Sequence, residues 1–290
     1  MTTTFKPGEA ELSDKEFEAL RQLIYTHTGI ALAPYKRYLV QARLGRRLRA
    51  LNLATYAEYH ELLVGGNGAE LTQFINAMTT NKTDFFRESH HFDYLRATWL
   101  PARRAAGARR LRLWSAACST GEEPYTIAVT VLDALDGAAG WDVKILASDI
   151  DTEVLARAEA GTYTMEQVRP VPPPLLTKYF QRGRGQQEGS VRVTPAVRSL
   201  IAFRRINFLD DPWPIRATFD AIFCRNVLIY FDRPTQQRLL TRVLGYLAPD
   251  GLIFLGHSET AFGLVAGLSP VGATIYRRTT EPSSSVPSGR

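Results

Sequence analysis

Five short apolar runs constrain this sequence most. Leu111 to Ala116, Val143 to Ser148, Leu200 to Ile206, Ala221 to Cys224 and Leu252 to Gly256 have the length and composition of strands, with helical patterns between them. Strands alternating with helices bury their apolar faces best as a doubly wound α/β sheet of the Rossmann type, which is the expected fold class. One spacing breaks the alternation. A crossover between parallel strands needs about a dozen residues, yet fifty separate Asp149 from Leu200. The excess reads as an insertion at about residues 162–199, holding "RPVPPP", a glycine-rich "RGRGQQEG" turn and a strand at Val191 to Val193. A small antiparallel β subdomain is expected there.

Residues 1–80 have a different texture and are expected to form an all-α domain. Ser13 with Glu16 three residues on makes a capping box, Phe17, Leu20, Leu23 and Ile24 recur at helical spacing, and Gly29 ends the helix. After Pro34 a second helix places Val40, Leu44, Leu48 and Leu51 on one stripe, with Lys36, Arg43, Arg46 and Arg47 on the opposite face. A third helix runs from Tyr56 to Leu63, "GGNG" at Gly65 to Gly68 breaks it, and Leu71 to Met78 forms a fourth. Residues 81–91 then read as a linker, 92–280 as the α/β domain, and 281–290, rich in proline and serine, as a disordered tail.

With 290 residues, 45% hydrophobic and 22% charged, the chain can bury a sizeable core. Its apolar runs fall far short of the roughly 20 residues that span a bilayer, and the start lacks the basic-then-apolar pattern of a secretory signal. A cytoplasmic protein without direct membrane insertion is expected. Cys118 and Cys224 are the only cysteines, so neither a disulfide framework nor a metal site is expected. The charge is concentrated: between Ala19 and Ala57 lie seven basic residues and no acidic one, which exceeds the net +6 of the whole chain. Such a patch attracts an acidic partner.

The first strand runs into "CSTGEEPY", where a dinucleotide-binding loop would carry glycines that let a pyrophosphate approach backbone N–H groups. Here there is one glycine, Gly121, and two glutamates, Glu122 and Glu123. A like charge about 4 Å from a phosphate near a protein surface costs roughly 4 kcal/mol, so the expectation is an acidic pocket for a positively charged ligand such as S-adenosylmethionine. One of the two glutamates is expected to serve only the helix dipole. Asp149, 28 residues beyond Gly121 at the end of the second strand, fits an acceptor for ribose hydroxyls, although an Asp there can also be a helix cap.

With three further motifs, these loops resemble the chemotaxis receptor methyltransferases, the CheR family. "TTNKTDFFRE", "WSAACSTGEEPYTIA", "ASDID", "FDAIFCRNVLIYFD" and "LGHSE" occur in the family's order, and the resemblance covers residues 13–278. It implies a Rossmann-like methyltransferase that transfers a methyl group from S-adenosylmethionine to glutamate carboxylates of chemoreceptors, leaving S-adenosylhomocysteine. It implies cofactor binding by Asn81, Thr83, Arg87, Glu123, Asp149, Asn207, Phe208, Arg225 and Asn226, and catalytic roles for Arg87 and Tyr230. It further implies a glutamate-rich helical bundle as partner, met by Arg43, Arg46, Arg47 and Arg49, with recruitment to membrane receptor arrays. In some family members the β subdomain captures a C-terminal receptor peptide as an added strand, for which Arg182, Gly183, Gly185 and Arg192 are the candidates. The protein is expected to act as a monomer.

A glutamate is already a carboxylate at neutral pH, so such a transfer needs no general base. Two other readings compete: a methyltransferase acting on nucleic acid, drawn by the basic helix, and a module that binds a small ligand without transferring anything. Against the first, the break after the fourth strand reads "CRNV" rather than Pro-Pro-aromatic, and few aromatics interleave with the basic patch. No broken cofactor motif supports the second.

Overall fold

The computed structural model of the chain describes residues 11–279, so the expected tail at 281–290 lies outside the described residues. α1 (Asp14–Thr28) begins where the Ser13 hydroxyl accepts from the Glu16 N–H while the Glu16 carboxylate accepts from the Ser13 N–H, and it ends at Gly29 with φ 76°. α2 (Arg37–Leu51) and α3 (Tyr56–Val64) follow, the latter with a second capping box from Thr55 and Glu58. α4 (Gly68–Met78) starts earlier than the apolar pattern indicates, because the Asn67 side chain accepts from the Glu70 N–H and caps it. Phe17, Leu20, Ile24, Val40, Leu44, Tyr56 and Phe74 close a core of their own, each large side chain contributing about 1.5–3 kcal/mol on burial.

A broken helical stretch comes next: α5 (His90–Tyr94), a π turn at Leu95–Trp99 and α6 (Leu100–Ala105). Then follow β1 (Arg110–Ala116), α7 (Glu122–Ala134), β2 (Asp142–Asp149) and α8 (Thr152–Ala160). The insertion contributes β3 (Thr162–Thr164), α9 (Pro173–Tyr179), β4 (Phe180–Arg182), β5 (Ser190–Val193) and α10 (Pro195–Arg198). Its strands form an antiparallel sheet in the order β3-β5-β4.

The chain returns to the main sheet with β6 (Ile201–Arg205) and β7 (Phe219–Cys224), then α11 (Arg233–Gly245), β8 (Leu247–Leu255), β9 (Leu268–Gly272) and β10 (Ile275–Arg278). The seven strands run in the order β6-β2-β1-β7-β8-β10-β9. The five expected strands pair in parallel, and β10 and β9 add an antiparallel edge that the strand pattern did not reveal. No helix connects β6 to β7, where residues 206–218 cross in irregular backbone. The order reverses between β1 and β7, and a doubly wound sheet opens a crevice beyond the strand ends at such a reversal.

Candidate functional site

At that crevice lies a cavity of about 370 Å³. The loop leaving β1 takes left-handed backbone at Ala117, Ser119 and Gly121, with φ 69°, 49° and 98°. Four of its N–H groups bond within the protein. Those of Ala117 and Cys118 donate to the Ser148 carbonyl, that of Ser119 to Asp149 Oδ2, and that of Gly121 to the Cys118 carbonyl. A pyrophosphate-binding loop would offer such groups to its ligand; here the protein's own acceptors take them. The single glycine has a packing reason as well: a Cβ on Gly121 would lie 2.8 Å from the Tyr163 hydroxyl and 2.9 Å from Ala158 Cβ. The glycine lets the loop close onto α8.

The two glutamates take different places, and the charge argument needs correction. Glu122 turns away from the cavity, accepts from the Thr120 hydroxyl, and is raised above the usual carboxylate range by burial. Glu123 lines the cavity, yet its Oε2 is 2.9 Å from Arg225 Nη1 and its Oε1 accepts from Ser115. Its charge is matched internally. The lining as a whole carries Lys36, Arg43, Lys82, Arg87 and Arg225 against Asp84, Glu123 and Asp149, so the cavity is not acidic on balance. What disfavours a phosphate is the engaged backbone rather than net negative charge.

Asp149 ends β2 and is 7% exposed. Its Oδ2 receives the Ser119 N–H at 2.8 Å and its Oδ1 the Asp151 N–H at 3.0 Å. Burial outweighs these bonds and pushes its carboxyl up to about 6. The helix cap of α8 is instead Asp151, whose Oδ1 accepts from Glu153 and Val154. Asp151 Oδ2 also accepts from Thr79 and Asn81 at 2.7 Å each, tying the linker to the sheet.

Beyond β7 sit Arg225 and Asn226, the latter with φ 57°. Arg225 has a side chain 2% exposed, pairs with Glu88 at 3.2 Å as well as with Glu123, and donates to the Arg87 carbonyl. It braces the linker against the sheet. Burial alone would raise the Glu88 carboxyl, but hydrogen bonds from Asn226 and His257 and the nearby Arg225 together hold it down to about 2. His91 lies beneath, driven to about 3 chiefly by burial and so neutral, with Nε2 against Thr274.

The N-terminal helices cover the crevice. Ala31 N–H donates to the Tyr230 carbonyl at 2.8 Å, Ile30 bridges to Phe231, and Tyr25 donates to Asp232 at 2.7 Å. Asn207 Nδ2 donates to the His27 carbonyl while its Oδ1 accepts from the Leu209 N–H, so much of its hydrogen-bonding capacity serves the cover. These contacts join segments about two hundred residues apart, and no local pattern announces them.

Asn81, Thr83, Arg87, Glu123, Asp149, Asn207, Phe208, Arg225, Asn226 and Tyr230 all line this one cavity. The arginines of α2 do not share one outward face. Arg43 turns inward, lines the cavity and donates to the carbonyls of Met78 and Thr79 and to the Thr80 hydroxyl. Arg47 grips Glu70 through Nε at 2.9 Å and Nη2 at 2.6 Å, with the Tyr59 hydroxyl on the same carboxylate. An exposed partner surface on α2 therefore rests on Arg46 and Arg49. In the insertion, Arg182 stands on the edge strand β4 and Arg192 on the central β5, both exposed, while a Cβ at Gly183 would run into the Gln187 carbonyl. Ser119, Asp151 and Glu88 escaped the sequence reading, although each lies inside a quoted motif.

A nucleoside carrying a sulfonium and an amino-acid end matches this donor set. Asp149 adds a carboxylate to the lining, Asn81 has its amide nitrogen engaged by Thr79 and Asp151, and Phe208 adds an aromatic wall. The family model described as "CheR methyltransferase, SAM binding domain" matches residues 81–276, and "CheR methyltransferase, all-alpha domain" matches residues 15–79. "Chemotaxis protein methyltransferase 2" of Pseudomonas aeruginosa is 48% identical over 272 residues, 94% of this chain and 96% of that protein. The "Chemotaxis protein methyltransferase" of Salmonella typhimurium is 49% identical over 267 residues, 91% of this chain and 90% of its own length. That of Escherichia coli is 48% identical over 267 residues, 91% of each chain.

Proposed function

This chain belongs to the CheR methyltransferase family and is an S-adenosylmethionine-dependent chemotaxis methyltransferase, and from that premise we propose that its acceptor is the side-chain carboxylate of glutamates on chemoreceptors, which become methyl esters. The observation that carries this reading is the meeting of the cofactor candidates with Arg43, Arg87 and Tyr230 in one cavity, beside a loop four of whose backbone donors are engaged within the protein. The cofactor, when bound, would supply a methyl on a sulfonium, a group whose transfer to the acceptor oxygen requires no proton to move.

The chain's own residues then have limited tasks. Asp149 accepts from hydroxyls, Asn81 and Thr83 hold polar groups of the ligand, and Phe208 packs against a flat apolar one. Arg87, whose Nη1 donates to the Lys82 carbonyl at 2.9 Å, keeps further donors for an incoming carboxylate. Tyr230 lines the cavity, its backbone held by the Ala31 N–H on its carbonyl. Orientation is the main catalytic contribution, because an ionised carboxylate is already a nucleophile.

Receptor capture uses the exposed side of α2, with Arg46 and Arg49 facing an acidic helical bundle. The outer edge of β4 is where a receptor's terminal peptide would add as a strand, raising local concentration. Recruitment to receptor arrays follows from these contacts, and among the described residues no helix is long and apolar enough to cross a membrane.

Incubation of the chain with methyl-labelled cofactor and a receptor cytoplasmic fragment tests the proposal. Base-labile label on the receptor, released as methanol, is the expected result. Label on nucleic acid, or cofactor uptake without transfer to any receptor fragment, contradicts it.

A further inference from the structure

Three of the five quoted motifs meet at Asn226, and two of their carboxylates have no task in the transfer. Glu259, from "LGHSE", is 7% exposed and accepts from the backbone N–H groups of Asn226, Leu228 and Gly256 at 2.8, 2.7 and 2.6 Å. It folds the turn that gives Asn226 its left-handed backbone. Glu88, from "TTNKTDFFRE", accepts through Oε1 from Asn226 Nδ2 at 3.0 Å and from His257 Nδ1 at 2.8 Å, while its Oε2 faces Arg225 at 3.2 Å. Glu88 itself stands at φ 57°, a conformation a non-glycine residue keeps only when its surroundings impose it. Gly256 completes the arrangement, since a Cβ there would run into Asn226 Nδ2 and lie 2.8 Å from Glu259 Oε2.

An asparagine amide has a donor end and an acceptor end, and a neutral surrounding would let either face a ligand. An ionised carboxylate accepts only. We propose that Glu88 and Glu259 form a clamp in which Glu259 fixes the backbone of Asn226 and Glu88 fixes the sense of its amide, so that the cavity meets the Oδ1 acceptor and selects a ligand donor. Glu88 is a positioning residue: it acts through Asn226. This deepens the proposed function and rests on it, because the donor selected belongs to the amino-acid end or the hydroxyls of the cofactor.

Exchanging the two side chains tests the clamp. In Glu88→Leu the acceptor is lost, the Asn226 amide is free to turn over, and its nitrogen can face the cavity. Calorimetric titration with S-adenosylhomocysteine should then show affinity lower by about tenfold or more. Asn226→Asp sets two carboxylates together and should lower both affinity and Tm. The pair Glu88→Gln with Asn226→Asp restores donor to acceptor and again turns an oxygen to the cavity. It should bind within about threefold of the parent chain and recover the Tm lost in Asn226→Asp, a rescue that a bulk structural role for Glu88 would not produce.

Parent-like affinity in Glu88→Leu overturns the clamp. So does an exchanged pair that is neither tighter nor better folded than the single variants. If the parent chain takes up no S-adenosylhomocysteine, the cofactor assignment fails by itself, and the clamp is judged by whether the pair recovers the Tm lost in Asn226→Asp.

Discussion

The charged groups at the strand ends and those on the outer side of α2 are deployed in opposite ways. In the cavity Glu123 is paired with Arg225, Asp149 with two backbone N–H groups, and Arg225 also with Glu88. On α2, Arg46 and Arg49 are exposed. The first set shapes a small-molecule site at atomic precision and tolerates little change. On the reading proposed above, the second supplies a field that steers a large partner, where each charge adds a modest, salt-screened amount. Arg43 belongs to the first set although it sits on the helix of the second, because its guanidinium is bonded to Met78, Thr79 and Thr80.

The largest expected effect is from Asp149→Ala. It strands the Ser119 and Asp151 N–H groups and removes the hydroxyl acceptor, so calorimetry should show cofactor affinity reduced on the order of a hundredfold or more. Next is Arg43→Ala, which leaves the end of α4 and the linker without their brace. It should weaken cofactor uptake by about tenfold and methylation with it. That outcome separates Arg43 from the rest of α2, and a variant with intact cofactor affinity and damaged receptor methylation would return it to the partner surface. Charge reversal of Arg46 and Arg49 together should leave cofactor affinity unchanged and raise the receptor KM by roughly five- to tenfold at low salt, fading at high salt. Smallest is charge reversal of Arg182 and Arg192, a few-fold loss of methylation confined to receptors that carry a terminal peptide.

The two regions also differ in their response to pH. Burial raises Asp149 to about 6 in the folded chain. Its acceptor role needs the carboxylate, so cofactor affinity should hold above pH 6 and fall by up to about tenfold per unit below it. For folding the sign is the reverse: a buried acid raised above its unfolded value opposes the folded state when ionised, and that penalty eases as pH falls through 6. Cofactor titrations across pH 5 to 8 with a parallel unfolding series read both.

Much of this was legible in local pattern. Ser13 and Glu16 mark a helix start through contacts three residues apart, and the apolar runs of β1 and β2, and of β7 and β8, are joined by helices as in a doubly wound sheet. The illegible parts depend on distant partners. The glutamates of the first loop suggested an acidic pocket because Arg225, a hundred residues on, could not be known to pair with Glu123. The helical period of α2 placed Arg43 and Arg47 outward with Arg46, since period alone does not say that α4 and Glu70 lie within their reach. β9 and β10 went unseen because prolines, glycines and charges on an edge hide the strand pattern.

The central claim is that the β1 loop, with the N–H groups of Ala117, Cys118, Ser119 and Gly121 bonded within the protein, rejects a phosphate and accepts a sulfonium nucleoside. Calorimetric titration of the full chain with S-adenosylhomocysteine and, separately, with NAD tests it most directly. Saturable uptake of the first and no detectable heat from the second is predicted; tight uptake of NAD, with S-adenosylhomocysteine ignored, would contradict it.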